Sequence, residues 1–230
     1  MTISRKRNET NESLRTANNP RRVSSCPEKL NVLYERKMII DEFIKKFNAL
    51  VSSKKYEEAM NYCAQELQKL MNKQEFTHDE RLYVATIYSS MVPFLDKNEG
   101  LKCLDAAISY VPNSAELYYQ RAELKCNLSD FQGAIDDYSI VIENAPEPMA
   151  YGLRGNAKVN LGDISGAVSD FKKILEYEPD NKNAQNAINS LIIQYAQANN
   201  IPCLSCTLKT GKKVHRIVTD FGTFDIPNLN

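Results

Sequence analysis

From about residue 40 to residue 198 the large apolar residues recur every three or four positions. This is the spacing of amphipathic helices, not the alternation of strands. Phe43, Phe47 and Leu50 begin one such face, and Val84, Ile87-Tyr88 and Met91 begin another. Ile188, Leu191, Ile192 and Tyr195 form a single stripe at i, i+3, i+4 and i+7. The interruptions between these faces read as helix ends. Thr77 and Glu80 have the spacing of a capping box. Gly162 can take the positive φ of a helix C-terminus, and Asp163 can cap the helix that follows; Ser129-Asp130 does the same without glycine. Pro93 falls late in a helical face and predicts its end or a kink there. Periodicity stops at Pro202, after which Leu204–Leu208 and Val214–Val218 are β-prone around Thr210-Gly211. A hairpin is expected there, with Thr223–Ile226 as a third extended piece. A lone hairpin is marginal in water, so it must pack on the helices or stay mobile. Residues 1–27 carry one large apolar residue, Leu14, between Ile3 and Val23, and are expected to be disordered.

The helical faces repeat. Pro112, Pro146 and Pro179 close similar segments 34 and 33 residues apart. Each follows an apolar pair: Ala107-Ile108, Val141-Ile142 and Ile174-Leu175. Seven residues before each pair stands a small residue: Gly100, Ala134 and Ala167. One copy holds Tyr118, Arg121-Ala122, Lys125, Ala134, Tyr138 and Pro146; the next holds Tyr151, Arg154-Gly155, Lys158, Ala167, Phe171 and Pro179. This pattern resembles the tetratricopeptide repeat family, in which each repeat is a helix–turn–helix hairpin. Lys125 and Lys158 stand where that family has an aromatic residue, which predicts thinner contacts there. Two more worn copies cover 40–73 and 81–112, followed by copies at 115–147 and 148–181. The stripe at 182–198 suits a capping helix with one apolar face inward and one polar face outward.

The fold expected is therefore all-α: a tetratricopeptide solenoid over 28–198, a flexible basic tail over 1–27 and a short β-prone extension over 199–230. Residues 28–39 either extend the first helix backwards or form a short helix of their own.

Charge changes this picture slightly. The chain has 29 Lys/Arg and 29 Asp/Glu, so its net charge is zero. Residues 1–37 are nonetheless about +5, residues 38–198 about −7 and residues 199–230 about +2. An acidic body with basic tails argues against a nucleic-acid-binding body. No apolar run approaches the ~18 residues of a membrane span. Arg5-Lys6-Arg7 is not followed by the apolar stretch of a secretory signal, and Glu9 and Glu12 argue against a mitochondrial presequence. The six cysteines, three of them (Cys63, Cys103 and Cys126) within helical patterns, read as reduced thiols of a cytoplasmic or nuclear protein.

Candidate chemistry is sparse. The two histidines, His78 and His215, have no nucleophile motif nearby, and the eight glycines form no phosphate-binding loop. An enzyme is not expected, and no cofactor is implied. Cys203-x-x-Cys206 has the spacing of a zinc or dithiol pair, with His215 as a third ligand and no fourth in the tail. No intrachain zinc is expected. A metal- or redox-active tail with the solenoid as docking arm is the rival reading, and a structural subunit of a larger assembly is a third. Arg21-Arg22-Val23-Ser24 resembles a basophilic kinase site and makes Ser24 a modification candidate. The basic clusters Arg5-Lys6-Arg7 and Lys212-Lys213 are short and lack interleaved aromatics.

The resemblance implies a non-enzymatic module, a scaffold, adaptor or co-chaperone-like protein, that binds a peptide or helix of another protein along the first helices of its repeats. The groove positions carried over are Asp41, Ile44, Lys45 and Asn48; Leu82, Ala85, Thr86 and Ser89; Glu116, Tyr119, Gln120 and Glu123; and Met149, Gly152, Leu153 and Asn156. Of these, Asn48, Lys45, Thr86, Tyr119, Gln120, Glu123 and Asn156 are the strongest candidates for touching a peptide. The family's carboxylate clamp for acidic chaperone C-termini needs Lys, Asn, Asn, Lys and Arg. Those positions here are Ile44, Asn48, Thr86, Glu116 and Gln120, of which Asn48 alone matches. A neutral or basic ligand is therefore expected.

Overall fold

The computed structural model describes residues 27–71, 73–208 and 210–227, with side chains from residue 38 onward. Ser24 and Arg5-Lys6-Arg7 lie outside the described residues. The chain divides into two units, Met1–Ile44 and Lys45–Asn230. In the first unit the described residues are helical. They belong to α1 (Pro27–Ser52), which continues without a break from residue 27, so residues 28–39 extend the first helix backwards.

The second unit holds the end of α1 and a run of antiparallel helices. These are α2 (Tyr56–Met71), α3 (His78–Met91), α4 (Lys97–Tyr110), α5 (Ala115–Asn127), α6 (Phe131–Asn144), α7 (Pro148–Leu161), α8 (Ile164–Tyr177) and α9 (Lys182–Ala198). From α2 onward each helix packs on the next.

The boundaries have local causes. The Thr77 hydroxyl accepts from the Glu80 N–H at 3.3 Å while the Glu80 carboxylate accepts from the Thr77 N–H at 2.9 Å, closing the capping box of α3. Asp96, Asp130, Asp163 and Asn181 cap α4, α6, α8 and α9 in the same way, with side-chain oxygens on the N–H groups of the first turn. Pro93 sits in a 3₁₀ turn, Val92–Phe94, immediately after α3. At the α7–α8 turn Gly162 has φ +88°; Ser129, at the α5–α6 turn, is held at φ +63° without glycine's freedom.

Small residues let the helices approach. Ala122, Ala134 and Ala167 are fully buried. A Cβ on Gly155 would stand 3.2 Å from the Phe171 ring and 3.4 Å from Asp170 Cβ. Between them lie large side chains such as Leu104 and Tyr138, each worth about 1.5–3 kcal/mol when fully buried.

The last residues form an antiparallel sheet, β1 (Cys203–Thr207), β2 (Lys213–Thr219) and β3 (Gly222–Ile226), in the order β1-β2-β3. It does not stay apart from the helices. Ile217, Phe224 and Ile226 join the core of Phe171, Ile188 and Ile192. The Tyr195 hydroxyl donates to Asp220 at 3.2 Å, Tyr195 meets Phe221 edge-on at 5.0 Å, and the Lys172 ammonium lies 4.6 Å from the Phe224 ring centroid. Of the two outcomes open to the hairpin, packing on the helices is the one seen: β2 and β3 dock against the apolar residues of α8 and α9.

Candidate functional site

α5 and α7 are the first helices of two adjacent hairpins, and their side chains divide by charge. All four cations turn toward the second helix. Arg121 donates twice to Asp137, from Nε at 2.9 Å and from NH2 at 2.7 Å, and Lys125 Nζ lies 2.8 Å from the same carboxylate. One repeat later Arg154 donates to Asp170 at 3.0 and 2.7 Å, and Lys158 lies 2.9 Å from it. Asp137 and Asp170 are each 2% exposed. Each carboxylate holds its arginine further above the usual guanidinium range. Lys125 and Lys158 are therefore ion-pair partners of a buried carboxylate, and the expectation of thin contacts at these positions is corrected. The aspartates were missed in the sequence, although Arg121–Asp137 and Arg154–Asp170 share a 16-residue spacing.

The opposite face of α5 carries acids held by neutral donors. Gln120 Nε2 donates to Glu116 at 2.8 Å, and the Tyr119 hydroxyl donates to Glu123 at 3.2 Å. Burial, then the neighbouring Glu123, raises the Tyr119 phenol above its usual range, so it stays a donor. Tyr119 and Leu153 pack against the same buried group, Ala122, Ala134 and Tyr138, which makes the exposed faces of α5 and α7 neighbours.

On α7 the surface opens into a cavity of about 390 Å³, within the range of ligand pockets. Pro148, Met149, Gly152, Leu153 and Asn156 line one side; Ile174, Glu178 and Asn181 line the other. Met149 is 61% exposed. The Asn181 amide donates to Glu178 at 2.6 Å.

Of the predicted groove residues, Met149, Gly152, Leu153 and Asn156 line this cavity, and Tyr119, Gln120 and Glu123 lie on the adjoining face of α5. Lys45 and Asn48 are exposed on α1 and do not line the cavity. On α3 the hydroxyls turn to their own helix: Thr86 donates to Leu82 O at 2.8 Å, and Ser89 and Ser90 donate to Thr86 O. Ala85 is buried with Leu104 and Ala107, so it offers no exposed surface. Ile174, Glu178 and Asn181 were missed because they come from α8 and the turn after it, outside the first helices.

The thiols and imidazoles do not converge. Cys203 and Cys206 stand three residues apart on β1, which places them on opposite faces of the strand. His215 pairs across from Ser205, and His78 begins α3. Among the described residues no group of three or more His, Cys, Asp or Glu could hold a metal ion. Burial pushes the Cys63 thiol up to about 12 and also raises Cys103 and Cys126, the opposite of what a nucleophile needs. Among the described residues no helix is long and apolar enough to cross a membrane.

Comparison with known proteins adds a match for one repeat. Residues 150–181, which are α7, α8 and the turn that follows, match the tetratricopeptide repeat. That stretch is one tetratricopeptide repeat. No curated protein sequence matches it. Among solved structures, this chain is similar to the MamA protein, at 15% identity and a TM-score of 0.57 over 70% of this chain and 85% of that one. MamA 41-end from Desulfovibrio magneticus RS-1 gives 13% identity and a TM-score of 0.56 over 70% and 88%. The first tetratricopeptide domain of Spaghetti (RPAP3), solved bound to the HSP90 peptide SRMEEVD, gives 22% identity and a TM-score of 0.45 over 54% and 99%. The tetratricopeptide fold is a scaffold for protein–protein interaction, and its members are generally non-enzymatic.

Proposed function

We propose that this chain is a non-enzymatic interaction module that holds a segment of a partner protein against the exposed faces of α5 and α7. The observation that carries this reading is the cavity on α7, whose apolar lining of Met149, Leu153 and Ile174 lies open beside a rigid, ion-paired pair of hairpins. An apolar recess with a few oriented polar groups at its rim is the usual form of a recognition site. The free thiols among the described cysteines fit a reducing compartment, cytoplasm or nucleus.

The partner is not an acidic chaperone C-terminus held by the usual clamp. Glu116 stands where that clamp needs a cation, and Thr86 turns its hydroxyl to its own backbone.

The test is selection of random peptides displayed on phage against the immobilised full chain, with a peptide ending in Glu-Glu-Val-Asp as a control expected not to bind. Enriched peptides should shift the backbone amide resonances of Tyr119, Gln120, Gly152 and Asn156. Enrichment of none, or shifts confined to β1 and β2, would overturn the reading.

A further inference from the structure

We propose that the α5–α7 surface selects an extended segment carrying two Lys or Arg residues three positions apart beside one large apolar residue. This deepens the interaction reading above and rests on it.

The charge argument begins with the cations. Arg121, Lys125, Arg154 and Lys158 are all engaged by the buried Asp137 and Asp170, so α5 and α7 present no cation on their outer side. Two carboxylates remain on α5, Glu116 and Glu123, and a third, Glu178, lines the cavity from the end of α8. Each accepts from a neutral donor, Gln120, Tyr119 and Asn181 respectively, and none has a cation among the ion pairs of the described residues. The donors fix the carboxylates without neutralising them. A cationic segment would complete these pairs, and an anionic one would be repelled.

Spacing narrows the segment further. Glu116 and Glu123 are seven residues apart on α5, about 10.5 Å along its axis. A polyproline II segment advances about 3.1 Å per residue with three residues per turn, so cations three positions apart lie on one side of it and match that distance. The apolar residue is set by the cavity, which Gly152 lines without a side chain of its own. A Cβ there would meet Ile174 Cδ1 at 3.5 Å, an ordinary contact, while a longer side chain would fill the space.

The experiment uses the full chain and fluorescein-labelled decapeptides read by anisotropy. The probes carry two lysines three apart with a leucine on either side. The controls replace both lysines with Gln or with Glu, or the leucine with Ser. The lysine–leucine peptide should bind about tenfold more tightly than its Gln version, the scale of two partly screened ion pairs. Glu116→Gln with Glu123→Gln should abolish that preference. Gly152→Leu should weaken binding of every leucine-containing peptide while the thermal midpoint stays within a few degrees. If the Gln or Glu peptides bind as well as the Lys peptide, the charge proposal falls and the interaction reading stands. Binding unchanged in Gly152→Leu overturns the cavity's part. If no peptide binds, both readings fall together.

Discussion

The hairpins α5/α6 and α7/α8 and the hairpin α3/α4 have the same fold and different interiors. In the first two, an arginine and a lysine one turn apart on the first helix reach a buried aspartate on the second. Thirty-four residues before Arg121, Lys125 and Asp137 the chain has Ile87, Met91 and Cys103. Ile87 is fully buried, and the Cys103 thiol is raised by burial and then by Glu99. One position set thus tolerates an ionic or an apolar filling. The ionic one fixes side-chain geometry through several hydrogen bonds; the apolar one needs none. Charges taken out of water must be repaid by near-ideal partners, so the ionic version is intolerant of losing a single member. The difference extends to the helix starts. α3 opens on a complete capping box, whereas α5 and α7 begin at Ser114 and Glu147 with no side-chain cap bond.

The strongest way to break the comparison is Asp170→Leu. It strands Arg154 and Lys158 beside a buried apolar group and should cost about 3–5 kcal/mol in urea unfolding. A cost below about 1 kcal/mol would show that the pair is not truly desolvated. Gly155→Leu comes next. It drives a side chain into the Phe171 ring and should cost roughly 1–3 kcal/mol; a variant that melts with the wild type would place the crossing elsewhere.

The capping box sharpens the contrast from the other side. Thr77→Ala should cost about 1 kcal/mol, and Ser114→Ala much less, since Ser114 makes no cap bond. Glu80 is lowered from its ordinary 4.5 to about 2, first by the Lys73 ammonium and then by the Thr77 N–H. A folded-state value below the unfolded one means that its contribution is complete above about pH 4.5 and is lost as pH falls toward about 2. Glu80→Gln should flatten the acid limb of stability in that window. If the limb is unchanged, neither the Lys73 pair nor the box holds Glu80 in solution.

The smallest expected effect is the most informative. Replacing Arg121, Lys125 and Asp137 together by Ile, Met and Cys should leave stability within about 1 kcal/mol of wild type, or raise it. A large loss would mean that the two interiors are not interchangeable.

The helices, their order and most of their ends could be read from the chain, because repeat spacing, capping residues and prolines are local signals. Thr77, Gly162, Asp163 and Pro93 act where their chemistry places them. The Arg–Asp pairs could not be read with the same ease: they join residues on different helices, and only the recurrence of the 16-residue spacing marks them. The docking of the sheet was legible as a need and not as a place, since the contact of Phe224 and Ile217 with α9 is set by tertiary packing. The cavity was half legible. Asn156 and its neighbours follow from the repeat register, but Ile174, Glu178 and Asn181 enter through the turn after α8.

The arginines also reach backwards. Arg121 NH1 meets Asp105 of α4 at 2.6 Å, and Arg154 NH1 meets Ser139 of α6 at 3.0 Å. Asp105 is 61% exposed, so water competes for that contact, whereas Asp137 inside the hairpin is sealed. The hairpins should then behave as stiff plates, with the seam α4/α5 as a more compliant joint between them. A segment bound across that joint would be gripped by plates rocking about it rather than by side chains rearranging within a hairpin. Spin labels placed across that seam should give a broader distance distribution than labels placed within one hairpin, and equal widths would mean that the seam is no joint.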